Sequence, residues 1–74
     1  MTRPPAFDAA AFGGRLQAAA EARGLGVRDI ARATSCSPAT VSRALRGWPD
    51  LSHENYLRLA QWLDAQAADE RTAA

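Results

Sequence analysis

The segment from Gly26 to Arg46 (GVRDIARATSCSPATVSRALR) predicts two short helices joined by a tight turn. Ser37 followed by Pro38 is a strong helix start, because serine caps a helix and proline needs no N–H partner at the first helical position. Gly47 provides a stop for this helix. In the preceding helix, the small side chain of Ala31 allows the two helices to cross closely. The rest of the chain must pack around this pair.

A longer helix is predicted before the pair. Asp8 is a good N-cap, and the periodic pattern continues to about Arg23, with Gly24 as a left-handed stop. Two adjacent glycines, Gly13 and Gly14, each weaken this helix by about 1 kcal/mol. They either permit close contact with a neighbouring helix or mark a frayed first turn.

A fourth helix is predicted after the pair, with Ser52 as its N-cap and Leu51 placed to pack against Tyr56. The two short helices are expected over 27–34 and 38–46. Alanine supplies much of the 47% apolar content, and no segment shows the alternation of a strand, so we expect an all-α fold. The expected divisions are a flexible arm over 1–7, a compact domain over 8–64, and a helical extension or disordered tail over 65–74.

Positive charge is concentrated in the predicted pair, although the net charge of the chain is only +1. Five arginines and one aspartate lie from Arg23 to Arg46, whereas five acidic residues and one arginine lie from Asp50 to Glu70. A basic segment beside an acidic one is typical of a protein that presents one face to phosphates.

Other kinds of chemistry find little support in the sequence. The single cysteine, Cys36, cannot form an internal disulfide and is expected to be a buried thiol, and one histidine is too few for a metal cluster. We recognise no nucleophile–base pair and no phosphate loop, so we expect no enzymatic activity, cofactor or small-molecule ligand. No apolar run approaches the length of about 18 residues that spans a membrane, and the first residues lack a signal-peptide core, so we expect a cytoplasmic protein.

The segment GVRDIARATSCSPATVSRALRG resembles the helix-turn-helix of the phage Cro and repressor proteins and of their bacterial XRE-like relatives. The segment LSHENYLRLAQWL is similar to the helix that follows the motif in that family, so the resemblance covers residues 8–63. The string SPATVSRAL also resembles the LacI-type headpiece, but a full helix before the motif favours the Cro and XRE proteins. The resemblance implies a compact lambda-repressor-like domain of four or five helices that binds double-stranded DNA in a bacterium or phage.

The outer face of the second short helix supplies the candidate base contacts. With Val41 directed inward, Arg43 is placed for a bidentate contact to guanine O6 and N7, worth about 1–3 kcal/mol of discrimination. Ser42 is a candidate for a base or a phosphate contact. Ala39 or Pro38 is expected to touch a thymine methyl group.

Phosphate contacts are expected from the ends of the two short helices. Ser37 and Thr40 offer hydroxyls at the start of the second helix, where backbone N–H groups attract anions. Arg28 lies at the start of the first helix, and Arg46 at the end of the second. These contacts orient a protein on the duplex without reading its sequence.

Two positions depart from the family pattern. The resemblance implies glycine in the turn between the short helices, where this chain has Ser35, and a left-handed serine costs about 1 kcal/mol. Phage repressors often begin the first short helix with a phosphate-binding glutamine, whereas this chain has Val27, so we expect Arg28 to take over that contact.

One such helix covers only a few base pairs, so we expect a symmetric homodimer that acts as a repressor on a palindromic operator. Trp48 and Trp62 look too exposed for so small a core and are the candidates for a dimer interface. The alternative function is a protein-interaction module, of the antitoxin or adaptor kind, with weak DNA contact. Salt-sensitive, sequence-dependent DNA binding distinguishes the two.

Overall fold

The computed structural model describes residues 8–73, and the surroundings of side chains as far as Ala68. Its four helices are α1 (Ala9–Arg23), α2 (Val27–Thr34), α3 (Pro38–Leu45) and α4 (His53–Ala73). Within this range the chain has no strand, which confirms the all-α expectation. The arm expected over residues 1–7 lies outside the described residues.

The helix ends follow the local sequence. The Asp8 carboxylate accepts a hydrogen bond of 2.9 Å from the Ala11 N–H, and Gly24 ends α1 with φ 65°. At the start of α4, Ser52 Oγ accepts a bond of 3.1 Å from the Asn55 N–H. Each cap satisfies an N–H group that has no partner within its own helix, which is why the helix bounds could be predicted closely.

The core lies where the four helices meet. Each helix contributes one fully buried side chain, and these are Leu16, Ile30, Val41 and Leu59. Complete burial of an aliphatic side chain of this size contributes about 1.5–3 kcal/mol, so these four residues hold the helices together. Ala31, Cys36 and Ala44 are buried beside them, which confirms the buried thiol that the sequence predicts at Cys36.

Trp62 belongs to this core. Its side chain is 9% exposed and packs within the buried cluster, so the expectation that it is too exposed for so small a core is wrong. Leu59 and Leu63 are also buried, and Trp62 follows Leu59 by one helical turn, so the same face of α4 carries all three. Of the two tryptophans, Trp48 is the exposed one, at 48%.

α1 and α3 touch backbone to backbone at Gly13. A Cβ atom at Gly13 would lie 2.7 Å from the Ala44 carbonyl oxygen and 3.0 Å from that of Leu45. One turn further along α1, Gln17 Nε2 donates a hydrogen bond of 2.9 Å to the Leu45 carbonyl. A Cβ atom at Gly14 would meet nothing within 4 Å outside its own helix. Close contact between helices therefore explains the glycine at position 13 but not the glycine at position 14.

After Leu63, the last large apolar residue, the same helix continues to Ala73. No separate fifth helix occurs among residues 8–73. None of the described helices is long and apolar enough to cross a membrane.

We expect Gly13→Ala to destabilise the domain by about 1–2 kcal/mol, because overpacking against a carbonyl outweighs the gain of about 1 kcal/mol that alanine brings to a helix. Gly14→Ala is the matched control. With open space at that position, it should stabilise the domain by about 1 kcal/mol. Urea unfolding midpoints measure both effects. Stabilisation of similar size by both substitutions would contradict the close contact.

Candidate nucleic-acid interface

α3 buries one face and presents the other to solvent. Val41 and Ala44 point into the core, whereas Pro38, Ala39 and Arg43 are exposed and Ser42 is half-buried. The four candidate base-contact residues lie three and four positions apart, so they share one stripe of the helix, which its C-cap, Arg46, continues. The structure therefore brings the predicted base-contact set together on one surface.

At the start of α3, the two candidate hydroxyls bond to each other. Ser37 Oγ accepts a hydrogen bond of 3.1 Å from the Thr40 N–H and donates one of 2.8 Å to Thr40 Oγ1. One hydroxyl proton is used between these two side chains, so one hydroxyl proton of the pair remains available to a phosphate.

The backbone of this first turn offers fewer donors than the sequence analysis assumed. Pro38 has no N–H group, and the N–H of Thr40 is taken by the cap. Among the first three helical residues, this leaves the Ala39 N–H without an acceptor in the described part of the chain. One backbone donor and one hydroxyl are thus available to an anion at this end of α3.

Arginine side chains flank α3 without carboxylate partners. Arg28, at the second position of α2, and Arg46 are both exposed, and neither forms an ion pair within residues 8–68. Asp29, the only acid in the basic segment, caps α2 by accepting a bond of 2.9 Å from the Gly26 N–H. The exposed Arg32, three residues after Asp29, also forms no ion pair within residues 8–68.

The turn between α2 and α3 is held in the conformation that the family pattern implied. Ser35 adopts φ 59° and ψ 27°, and it is the one non-glycine residue with positive φ in the described chain. Arg58 of α4 donates a bond of 3.2 Å to the Ser35 carbonyl and is also ion-paired with Glu54. The buried Cys36 Sγ lies 3.7 Å from Asn55 Oδ1. α4 thus fixes the turn, and with it the start of α3.

α3 ends in a Schellman motif that brings Arg43 and Trp48 together. Gly47 has φ 82°, its N–H donates to the Ala44 carbonyl, and the Trp48 N–H donates to the Arg43 carbonyl, each at 3.1 Å. The guanidinium carbon of Arg43 lies 5.5 Å from the centre of the Trp48 ring, within the range of a cation–π contact. The predicted base reader therefore rests on an exposed aromatic ring.

Comparison with known protein families agrees with this geometry. Residues 11–74 match the helix-turn-helix domain family. The chain belongs to that family. In a helix-turn-helix, the second helix of the motif lies in the major groove, so family membership supports binding of double-stranded DNA by this domain. Neither the curated proteins nor the solved structures give a match to this helix-turn-helix chain.

Three contacts that position the motif were not predicted from the sequence. Gln17 binds the C-terminal end of α3, Arg58 binds the turn, and Trp48 contacts Arg43. The hydrogen bonds of Gln17 and Arg58 join residues 28 and 23 positions apart in the sequence, and no local sequence pattern predicts such contacts. Trp48 did carry a signal: the residue after a left-handed glycine stop packs against the side chain five positions earlier.

We expect Ser35→Gly to stabilise this helix-turn-helix domain by about 1 kcal/mol, because glycine removes the left-handed penalty that serine carries. Ser35→Ala, which retains a Cβ atom, should give no such gain. Thermal unfolding of the two variants beside the parent chain measures the difference. A Ser35→Gly midpoint at or below that of the parent would mean that the turn is not strained.

Proposed function

We propose that this helix-turn-helix protein is a sequence-specific transcriptional regulator, a repressor, that places α3 in the major groove of its operator. One observation carries the proposal. The exposed stripe of α3 consists of small residues and arginine, and Arg28 and Arg46 beside it have no carboxylate partner within residues 8–68. Such a surface can approach base edges closely while its charges remain available to DNA.

In this proposal, the residues of the α3 stripe make different kinds of contact with the bases. Arg43 reads guanine through paired hydrogen bonds to O6 and N7. Ser42, half-buried beside it, donates to a base or a phosphate. Pro38 and Ala39 have no long side chain to hold the helix away from the groove, and their methyl and methylene groups suit contact with a thymine methyl.

Phosphate contacts hold the domain in register at both ends of α3. Thr40 contributes its hydroxyl and Ala39 its N–H at the start, with Ser37 holding Thr40 in place. Arg46 contacts phosphate at the end of the helix, and Arg28 does so from α2. Each arginine that neutralises a phosphate makes the affinity fall more steeply as the salt concentration rises, whatever the base sequence.

Specificity on a genome needs more than the few base pairs that one α3 covers. We infer that two copies bind a palindromic operator as a symmetric dimer, with half-sites about one helical turn apart. Occupation of such a site in a promoter suffices for repression. Of the two tryptophans expected at a dimer contact, Trp62 is packed in the core and the exposed Trp48 contacts Arg43, so this proposal assigns neither of them to the dimer contact.

Selection of bound sequences from a random-duplex pool, at physiological salt, tests the proposal. We expect a two-fold symmetric motif for the parent chain. Arg43→Ala should lose the preference at one position of each half-site, by about 1–3 kcal/mol. Arg46→Ala, the matched control, should keep the motif, bind more weakly to all sequences and show a smaller salt dependence.

Failure to enrich any sequence would contradict the proposal and favour the protein-interaction module. If Arg43→Ala selects the same motif as the parent chain, the protein reads DNA sequence but Arg43 does not make a base contact.

A further inference from the structure

The position of Trp48 relative to Arg43 is set by the backbone rather than by a chance surface contact. Two hydrogen bonds of the Schellman motif lock the segment from Arg43 to Trp48, and Gly47 between them is left-handed. Pro49 follows Trp48, and a residue before proline is restricted to extended conformations. The indole ring is therefore carried on a stretch of chain with few alternative conformations.

The contact restrains Arg43 without occupying its hydrogen-bonding groups. A guanidinium over an aromatic face is held by the attraction between its charge and the ring, and this attraction uses none of its five N–H donors for an oxygen acceptor. A carboxylate at the same place would hold the arginine through those donors and would compete with guanine for them. The ring of Trp48, 5.5 Å from the guanidinium carbon, avoids that competition.

An unrestrained arginine samples many side-chain conformations, and a bidentate contact to one base selects few of them. A ring that already limits these conformations in the free protein reduces the entropy lost on binding. The benefit falls on the base contact of Arg43 and leaves the phosphate contacts unchanged.

We propose that Trp48 is a positioning residue for base recognition, which holds the Arg43 guanidinium for its contact with guanine. This inference rests on the proposed function of α3. Trp48 acts through Arg43, so its effect is on the preference for one base pair and not on general affinity for DNA.

The test uses the intact chain and two duplexes: the site selected by the parent chain, and the same site with the Arg43-dependent base pair replaced. The ratio of the two affinities is the readout. We expect Trp48→Leu to reduce this ratio about two- to fivefold, the size of an exposed cation–π contact, with binding to the replaced duplex unchanged. Trp48→Phe keeps an aromatic face and should retain most of the ratio.

A double-mutant cycle with Arg43→Ala separates positioning from other roles. In the Arg43→Ala background, Trp48→Leu should have no further effect on either duplex. An undiminished effect there would show that Trp48 contacts DNA itself and would overturn the inference. An unchanged affinity ratio in Trp48→Leu would also overturn it. So would a fall of the sedimentation mass of Trp48→Leu from dimer to monomer, which would assign Trp48 to a dimer contact. If the parent chain selects no site at all, the proposed function fails first, and this inference falls with it.

Discussion

The direct backbone contact between α1 and the end of α3 fixes the helix that carries the candidate DNA surface. Gly13 allows the Ala44 and Leu45 carbonyls to approach α1, and a Cβ atom at Gly47 would lie 3.2 Å from Ala10 Cα. A glycine on each side of this contact therefore allows the two backbones to approach more closely than larger residues would. Gln17 adds a hydrogen bond to the same end of α3.

The other end of α3 is held by a different helix. Arg58 of α4 binds the Ser35 carbonyl, and Cys36 is buried beside Asn55. With both ends held and Val41 and Ala44 packed in the core, α3 has little freedom to rotate about its axis. The face that remains exposed is set by these constraints, and it carries the arginine and the small residues on which the proposed DNA recognition depends. A rigid presentation of this kind reduces the ordering that binding would require.

Local chemistry made most of the fold predictable from the sequence. Asp8, Ser37 and Ser52 each cap the helix that follows, and Gly24 and Gly47 each end one, so the helix bounds needed no knowledge of distant contacts. The inner face of the motif followed from helical spacing.

Features that depend on which helices pack together were harder to predict. The sequence could not decide whether Gly13 and Gly14 allow a close helix contact or mark a frayed first turn. The packing of α3 against Gly13 decides this for Gly13. Trp62 was misjudged because a large side chain in a small domain suggested exposure, although its spacing from Leu59 already placed it on the buried face. The contacts of Gln17 and Arg58 depend on tertiary structure alone.

The claim that the outer face of α3 meets DNA is tested most directly by an NMR titration of the protein with a duplex of about 20 base pairs, long enough for two helical turns. Backbone amide shifts locate the contact surface without any substitution. We expect the largest changes over residues 37–48 and at the start of α2, around Arg28. Changes concentrated on α4, or in the groove between α1 and α4 around Arg15 and Gln66, would contradict the claim.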